Sequence, residues 1–399
     1  MKVLHVAPFL ALENGGVSVS VRELCLGLAE SGVEVDLWSM QKREESRSHD
    51  VLDQPLRRAG VRVRYFPARG IGPFWNWFGY NPDLDKALSE SVPCVGLIHI
   101  HGLWLYPALA ATRAGRRFQV PYVVSPCGAL DAYSLQVRKI RKMLYGFFIE
   151  RRNLGGAAAI HFTSTHEKES SWTFGLRRPA AVIPRSLDPR RLPKLRPGLF
   201  RSLHPEIKNR KILLFLGRLH PKKRLDFAVE TFVQVCGRRE DVHLVVTGPD
   251  EGSASHALRR LKEANLLDRA SFSGPLMGDA KWAAFSDASI FLLPSLDENF
   301  GMAALEAMAA GIPVLLSAHV AIGETAARHG AGLVPEENPS AWAQAAVSIL
   351  ERPEWAAQMG SAGRRLVEER FSTPATALRM KQLYQAILKN PASPDLHDF

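Results

Sequence analysis

The densest set of residues that could do chemistry lies at 294–314, Pro-Ser-Leu-Asp-Glu-Asn-Phe-Gly-Met-Ala-Ala-Leu-Glu-Ala-Met-Ala-Ala-Gly-Ile-Pro-Val. The pattern predicts a strand that ends at Pro294 and a helix over 301–310. The free amides of such a turn and the helix dipole attract anions. Glycine, here Gly301, lets a ligand approach the backbone closely. The segment therefore predicts a site for an anionic ligand.

Two glutamates in this segment are candidate ligand contacts. Glu298 lies in the predicted turn, and Glu306 lies in a helix otherwise made of Ala, Met and Leu. A carboxylate among apolar neighbours is costly unless it has a partner. Ligand hydroxyls are suitable partners, because a carboxylate only accepts hydrogen bonds. The alternatives for Glu306 are an ion pair with a nearby Lys or Arg, or simple exposure to solvent.

A second candidate is the basic loop at 216–226, Leu-Gly-Arg-Leu-His-Pro-Lys-Lys-Arg-Leu-Asp. Its clustered cations, among them Arg218 and Lys223, suit an anionic ligand. An ordinary basic connection between a strand and a helix is the alternative.

The elements that position these loops alternate short β-branched runs with amphipathic stretches, which predicts parallel sheets covered by helices on both faces. Prolines interrupt the pattern at 183–196, and it restarts at 211. We therefore predict an α/β fold with two Rossmann-like, doubly wound domains, at 1–195 and 205–373, and a final helix at 374–390. The strands are predicted at 1–9, 33–39, 61–66, 95–100, 121–125, 157–163, 211–217, 241–248, 270–273, 289–294, 313–317 and 332–334.

The two glutamates and their surroundings resemble the signature of retaining glycosyltransferases of family 4. The matching pattern is Pro-Ser-x-x-Glu-Asn-Phe-Gly-x-x-x-x-Glu-Ala-Met-Ala-x-Gly-x-Pro-Val. The resemblance implies the GT-B fold, with two domains facing across a cleft and the last helix crossing back to the first domain. It also implies a nucleoside diphosphate sugar as donor, bound by the second domain, and an acceptor bound by the first.

The resemblance also implies a role for each matching residue. Glu306 would bind the ribose hydroxyls, and Arg218 and Lys223 the donor diphosphate. The donor sugar would be held by Glu298, Asn299, Phe300 and Gly301. Glu298, Arg218 and Lys223 are thereby the candidate catalytic residues of the second domain.

The first domain matches the family more loosely. Gly15-Gly16 after the first strand resembles the glycine loop that sits against the diphosphate and the acceptor. Residues 99–104 (His-Ile-His-Gly-Leu-Trp) and 125–130 (Ser-Pro-Cys-Gly-Ala-Leu) resemble segments of bacterial polysaccharide-building members. This agreement extends the resemblance over nearly the whole chain.

Cys127 departs from these relatives, which usually have histidine beside the transferring sugar. A thiol is mostly neutral near pH 7 and is a weak hydrogen-bond donor. Three explanations stay open: the role is steric and polar, a nearby histidine takes it over, or activity is reduced. His101 is the candidate neighbour, with a satisfied histidine at a strand end as its alternative.

Two further departures concern arginines. Pro184-Arg185-Ser186 stands where the family often reads Pro-Asn-Gly, so Arg185 is expected near the site. Arg224 stands where the family commonly has glycine, which predicts either an altered loop path or a third cation.

Composition limits the class of protein. The 399 residues are 46% hydrophobic and 23% charged, values typical of globular chains, and no stretch is apolar enough for a membrane span. The four cysteines form no Cys-x-x-Cys pair, so a disulfide framework or zinc site is not expected and a reducing cytoplasm fits.

The net charge of +11 lies in the first half, since residues 1–200 contain 28 Lys and Arg against 17 Asp and Glu. A positive field attracts phosphorylated substrates, membranes or nucleic acid, and solubility alone is the alternative. Residues 138–152 interleave cations with large apolar side chains, which predicts either contact with an anionic membrane or packing on the sheet. No recognition motif accompanies the charge, so nucleic acid is not expected.

Asp83-Leu84-Asp85 has the form of a metal-binding Asp-x-Asp, but it follows Asn81-Pro82, and helix capping explains it better. We expect no catalytic metal and no cofactor beyond the nucleotide-sugar co-substrate.

The leading expectation is a hexosyltransferase that builds a polysaccharide on a glycan or lipid-linked acceptor. The alternatives are a nucleotide-sugar epimerase on the same fold and a degenerate protein that binds donor without turnover. The expected location is cytoplasmic, with a peripheral position on the inner face of the plasma membrane left open.

Overall fold

A computed structural model describes residues 1–10, 15–41, 48–69, 73–136, 139–175 and 178–396. The chain divides into two compact units, one made of Met1–Leu187 with Phe371–Phe399 and the other of Asp188–Arg370. The sequence placed the first boundary later, between 195 and 205. The basic, proline-rich stretch that begins at Asp188 therefore belongs to the second unit.

The first unit contains one parallel sheet. Its strands are β1 (Lys2–Phe9), β2 (Glu34–Gln41), β3 (Arg62–Pro67), β4 (Leu97–His101), β5 (Tyr122–Ser125), β6 (Ala159–Phe162) and β7 (Ala180–Val182). Their order in the sheet is β3-β2-β1-β4-β5-β6-β7. The order reverses between β1 and β4, and α/β sheets hold ligands beyond the carboxyl ends of the strands at such a reversal.

Helices and turns connect these strands. They are α1 (Gly16–Glu30), α2 (Ser48–Arg58), α3 (Pro73–Phe78), α4 (Pro82–Ser91), α5 (Tyr106–Arg117), α6 (Ala132–Gln136), α7 (Lys139–Tyr145), α8 (Arg151–Gly155) and α9 (Thr165–Ser171). A π-helical turn, Gly146–Glu150, joins α7 to α8. Asn81 caps α4 by accepting a hydrogen bond from the Asp83 N–H at 2.7 Å, which confirms the capping interpretation of this segment.

The second unit contains a separate parallel sheet. Its strands are β8 (Lys211–Leu216), β9 (Val242–Thr247), β10 (Ala270–Gly274), β11 (Ala288–Leu293), β12 (Val314–Leu316) and β13 (Gly332–Leu333). Their order is β10-β9-β8-β11-β12-β13, so the reversal falls between β8 and β11. The predicted fold class is confirmed, because both units are doubly wound parallel sheets.

The helices of the second unit are α10 (Leu199–Leu203), α11 (Leu225–Cys236), α12 (Ala254–Glu263), α13 (Gly278–Asp287), α14 (Met302–Ala310), α15 (Gly323–Arg328), α16 (Pro339–Leu350) and α17 (Pro353–Arg370). Buried aromatic and aliphatic side chains of α11 and α16 pack together on the sheet, with the Phe227 and Trp342 rings 5.3 Å apart.

The last helix, α18 (Thr373–Lys389), packs on the first unit. Thr373 Oγ1 donates to Glu23 at 2.9 Å, and Lys381 Nζ donates to the Ser31 carbonyl at 2.6 Å. The helices approach closely at Gly27, where an added Cβ would lie 2.6 Å from Thr373 Cγ2. The Tyr384 side chain is completely buried among the residues of β1, β4 and α1.

Candidate functional site

The two predicted loops of the second unit lie side by side, because β8 and β11, which precede them, are neighbours at the reversal of the sheet. The Leu296 N–H donates to the Lys222 carbonyl at 2.9 Å. The Lys222 ammonium lies 3.0 Å from the Asp297 carboxylate. The basic loop and the glutamate loop therefore form one surface, at the edge where this fold class holds ligands.

Glu298 is held at this surface by its side chain and by its backbone. Its carboxylate accepts a hydrogen bond from Lys223, and both side chains are mostly buried. Its N–H donates to the His319 carbonyl at 2.9 Å, and its own carbonyl accepts from Ala321 at 3.1 Å. The structure thus brings together two of the predicted donor-binding residues and fixes the orientation of one of them.

Gly301 is the residue that caps the N-terminus of α14, and its φ of 97° favours glycine. A Cβ there would also lie 2.9 Å from Val320 Cγ1. The Phe300 side chain is buried, and its carbonyl accepts from Ile322 at 3.3 Å. The first turn of α14, which is fully described, contains no acidic residue, so the positive end of the helix dipole is available to an anion.

Glu306 has a cationic partner that the sequence did not identify. Its Oε1 accepts a hydrogen bond from Lys281 Nζ of α13 at 2.7 Å, and only 9% of the Glu306 side chain is exposed. The Lys281 ammonium also lies 5.6 Å from the Trp282 ring. The local ion pair foreseen as an alternative is therefore present, and it uses Oε1 of the carboxylate.

Arg218 pairs with a different carboxylate from the one that Lys223 contacts. Its Nη1 lies 3.0 and 3.2 Å from the two carboxylate oxygens of Glu251, in the loop after β9. About half of the Arg218 side chain is exposed, at 52%. Water screens such a pair, so exchanging this carboxylate for a ligand phosphate has a small cost.

Arg224 adopts the backbone conformation that glycine prefers, with φ 54° and ψ 55° at the start of α11. Its guanidinium lies over the Phe227 ring at 4.4 Å and contacts the Glu337 carboxylate. The loop therefore keeps the path that a glycine would give it, and the third cation is already paired.

Gly15 and His101 flank the reversal point of the first sheet. Gly15 follows β1 with φ 75°, a conformation that favours glycine, and it precedes Gly16 at the start of α1. His101 is the last residue of β4 and is paired in register with Ser125 of β5. The residues predicted to contact acceptor and diphosphate are thus placed at the ligand-binding edge of this unit.

Cys127 lies in the turn after β5 with a φ of 56°, which is strained for a residue with a Cβ. Its Sγ lies 3.5 Å from Ser125 Oγ. Burial raises the pKa of the thiol, although the positive charge of Arg185 opposes that shift. The thiol is therefore protonated near neutral pH and acts as a small polar group.

Glu167 anchors this turn and was not identified from the sequence. Its buried carboxylate accepts from the Gly128 N–H at 2.6 Å and from the N–H and hydroxyl of Thr163 at 2.7 and 2.9 Å. The available signal was the Ser164-x-x-Glu167 pattern of a capped helix, in which Ser164 Oγ accepts from the Glu167 N–H at 3.1 Å.

Three buried imidazoles, of His5, His99 and His101, could hold a metal ion, because their ligand atoms lie within 4.8 Å of one another. Burial lowers the pKa of His5 to about 3 and the pKa values of His99 and His101 well below 6.5. All three rings are therefore neutral. His5 is hydrogen-bonded directly to His101, and the Tyr384 hydroxyl links His5 to His99.

A stripe of exposed apolar side chains runs along α7 and the π-helical turn. Its members are Ile140, Met143, Leu144, Phe147 and Phe148, each more than half exposed. Their spacing puts them on one face. Arg151 lies over the Phe147 ring at 5.4 Å, so a cation borders the stripe. Packing on the sheet, the alternative considered for this segment, does not account for these five residues, and Arg138 lies outside the described residues.

Comparison with known proteins agrees with this arrangement. Residues 15–186 match the family described as "Glycosyl transferase 4-like domain", and residues 200–366 match "Glycosyl transferases group 1". The chain is therefore a glycosyltransferase that consists of a glycosyltransferase 4-like first domain and a group 1 second domain.

Its relatives include D-inositol 3-phosphate glycosyltransferase of Acidothermus cellulolyticus, 26% identical over 85% of this chain and 79% of the relative. Another is the GDP-mannose-dependent alpha-(1-6)-phosphatidylinositol dimannoside mannosyltransferase of Mycobacterium tuberculosis, 26% identical over 89% of both chains.

Among solved structures, Anabaena HepE in complex with UDP and glucose superposes with a TM-score of 0.75 at 15% identity, covering 97% of this chain and all of that one. The fold is accordingly GT-B. None of the helices in the described ranges combines the length and the apolar character needed to cross a bilayer.

Proposed function

We propose that this glycosyltransferase moves a hexose from a nucleoside diphosphate sugar to a hydroxyl of a glycan or lipid-linked acceptor, with retention at the anomeric carbon. The second unit binds the donor and the first binds the acceptor. The observation that carries the proposal is the contact of Lys223 with Glu298 at the β8–β11 reversal. It joins a cation to a carboxylate at the edge of the second sheet where this fold class holds ligands.

Each donor group has a matching partner. The diphosphate takes Lys223 and draws Arg218 from Glu251, because a doubly charged ligand competes well with one half-exposed carboxylate. The sugar meets Glu298 and the amides at the start of α14. The ribose hydroxyls donate to the free oxygen of Glu306, while Lys281 keeps the other oxygen in place.

Transfer proceeds without a catalytic metal. Arg218 and Lys223 stabilise the negative charge that gathers on the departing nucleoside diphosphate. The departing diphosphate accepts the proton of the attacking hydroxyl on the same face of the sugar, so retention needs no enzyme carboxylate as nucleophile. That HepE was solved with UDP and glucose supports a nucleoside diphosphate sugar as donor.

The acceptor is presented at an anionic membrane, in the synthesis of a cell-surface polysaccharide. The exposed stripe at 140–148 supplies apolar side chains that insert between lipids, and Arg141, Arg151 and Arg152 supply neighbouring charge. Each cation near an anionic leaflet contributes about 1 kcal/mol. The excess of positive charge in residues 1–200 favours the same partner.

The test is calorimetric titration of the purified protein with UDP, GDP and their common sugar conjugates, with and without EDTA. Chelator-insensitive binding of one nucleotide family is expected. Transfer to an acceptor panel is then followed by proton NMR, where the product should have the donor's anomeric configuration. Binding without transfer would favour the degenerate protein, and isomerisation of the donor without an acceptor would favour the epimerase.

A pair of variants assigns the nucleotide site. Glu306→Gln should weaken nucleoside diphosphate binding by about tenfold, as expected when charge-assisted hydrogen bonds are lost. Glu230→Gln is the control, since Glu230 pairs with Arg260 at the surface of the same unit. Equal affinities of the two variants would remove the ribose role of Glu306.

A further inference from the structure

A line of hydrogen-bonded groups, five side chains and one backbone carbonyl, crosses the core of the first unit. Its members in order are Ile183, His161, His99, Tyr384, His5 and His101. The distances along it are 2.9 Å (Ile183 O to His161 Nε2), 3.4 Å (His161 Nδ1 to His99 Nε2), 2.6 Å (His99 Nδ1 to Tyr384 OH), 3.4 Å (Tyr384 OH to His5 Nε2) and 3.0 Å (His5 Nδ1 to His101 Nε2). The line runs from the residue after β7 through β6, β4, α18 and β1, and it ends at the carboxyl end of β4.

The direction of this line is fixed at its first link. The Ile183 carbonyl only accepts, so His161 Nε2 carries the proton of that ring. A neutral imidazole has one N–H, which leaves His161 Nδ1 as an acceptor. His99 Nε2 must then donate to it, and His99 Nδ1 becomes the acceptor of the Tyr384 hydroxyl.

The donor and acceptor roles of the remaining links, from Tyr384 to His101, follow in the same way. Once Tyr384 has donated its proton to His99, its oxygen accepts from His5 Nε2. His5 Nδ1 is then an acceptor, and His101 Nε2 donates to it at 3.0 Å. His101 Nδ1 is left with a lone pair and no proton, and in the described parts of the chain the structure shows no hydrogen-bond partner for it.

This assignment of protons holds only if each imidazole is neutral, and burial keeps the rings neutral. All four imidazoles are at least 95% buried. Burial disfavours the charged forms of imidazole and phenol alike. At neutral pH the four rings therefore have one proton each, and Tyr384 keeps its own.

We infer that this line, from Ile183 to His5, holds His101 as its Nε2–H tautomer, so that His101 Nδ1 accepts a hydrogen bond from the acceptor hydroxyl and orients it for transfer. His101 is then the residue that touches substrate, and His5, Tyr384, His99 and His161 are positioning residues that act through it. The inference rests on the proposed function and adds to it how the acceptor is oriented.

Two observations favour a substrate hydroxyl at His101. His101 lies at the sheet reversal, where this fold class holds ligands. The Nε atom of Arg185, whose charge helps to lower the pKa of His101, is buried and has no partner among the described atoms. The lone pair of His101 Nδ1 suits a hydroxyl, which can donate a hydrogen bond to it.

The tautomer can be read directly by nitrogen-15 NMR of the full chain labelled in histidine, with His101 assigned by its substitution. The expected spectrum shows a protonated Nε2 and a bare Nδ1 for His101. Tyr384→Phe removes the central link and should give a mixture of tautomers. Tyr122→Phe is the matched control, because Tyr122 is also buried in this unit but its hydroxyl donates to the Asn153 carbonyl, at 2.7 Å, and not to a histidine. A protonated Nδ1 on His101 in the unmodified protein would overturn the inference.

Kinetic measurements distinguish a role of Tyr384 in positioning His101 from a role in stabilising the fold alone. Tyr384→Phe should lower kcat for transfer about three- to tenfold, the effect of one lost hydrogen bond. The donor KM and the calorimetric affinity for the donor nucleotide should not change. His5→Gln should restore most of kcat where His5→Leu does not, because an amide both accepts from His101 and donates to Tyr384. Equal losses in Tyr384→Phe and Tyr122→Phe would contradict the role.

A metal at the same histidines is the competing arrangement. Elemental analysis of the purified protein is expected to find no stoichiometric transition metal bound. If the protein contains one equivalent of a transition metal and His5→Gln removes it, the histidines form a metal centre and the proposed hydrogen-bonded line is wrong. If the chain has no transferase activity the proposed function fails, and the NMR experiment still tests the tautomer independently.

Discussion

Lys281 Nζ lies 2.7 Å from Glu306 Oε1, joining two neighbouring helices of the second unit, α13 and α14. The two side chains are 21% and 9% exposed. Because the pair is largely shielded from water, removing one partner leaves the other charge poorly solvated. The pair thus holds the candidate ribose carboxylate in place.

Lys281→Met should therefore destabilise the protein by about 2 kcal/mol in denaturant unfolding, within the range for a partly buried charge that loses its partner. Arg260→Met is the control, because Arg260 and Glu230 form a 2.8 Å pair that is 35% exposed on each side. That control should cost less than about 1 kcal/mol. A loss in Lys281→Met no larger than in the control would show that the pair contributes little to stability.

Patterns local in sequence predicted most of this molecule. All six strands of the second unit and six of the seven in the first were expected. The strand that was missed, β7, is Ala180–Val182 at the sheet edge, and its alanine-rich sequence has a single β-branched residue to indicate a strand. Glu298 and Lys223 were found because a long motif marks them. Lys281 was not, since nothing local indicates that a lone lysine of α13 meets a glutamate of α14.

Glu251 pairs with Arg218 in this structure, and we expect it to compete with a donor diphosphate for the guanidinium. Glu251→Gln should raise the affinity for nucleoside diphosphate by about two- to fivefold, the equivalent of one half-exposed ion pair. Arg218→Ala should lower it by about tenfold, and Arg218→Ala with Lys223→Ala should nearly abolish turnover. Calorimetry at two salt concentrations measures the affinities. Unchanged binding in both single variants would remove Arg218 from the diphosphate site.

Arg224 has the conformation of a glycine, with φ 54°. Arg224→Gly should be more stable than Arg224→Ala by about 1 kcal/mol, because both lose the guanidinium and only alanine keeps the backbone strain. The order should reverse at Arg259, an exposed residue inside α12, where glycine costs about 1 kcal/mol more than alanine. The same order at both positions, measured by urea unfolding, would argue against strain at Arg224.

Cys127 should behave as a neutral thiol, since burial raises its pKa. At pH 7.5 iodoacetamide should modify the exposed Cys94 first and Cys127 much more slowly, because only the thiolate reacts. Peptide mass spectrometry over time gives both rates in one sample. Alkylation of Cys127 as fast as that of Cys94 would indicate a reactive thiolate and reopen an acid–base role for this residue.

The exposed stripe at 140–148 should bind anionic bilayers. Phe147→Gln with Phe148→Gln removes two of its most exposed side chains, 61% and 70% exposed, and should lower binding to phosphatidylglycerol vesicles by at least about tenfold.

Arg141→Gln with Arg151→Gln should weaken binding at low salt and have less effect at high salt, because salt screens the attraction. Arg238→Gln with Arg259→Gln, in the second unit, removes the same charge elsewhere and is the control. Sedimentation with vesicles measures all three, and an equal loss in the control would show that net charge, not this stripe, sets the binding.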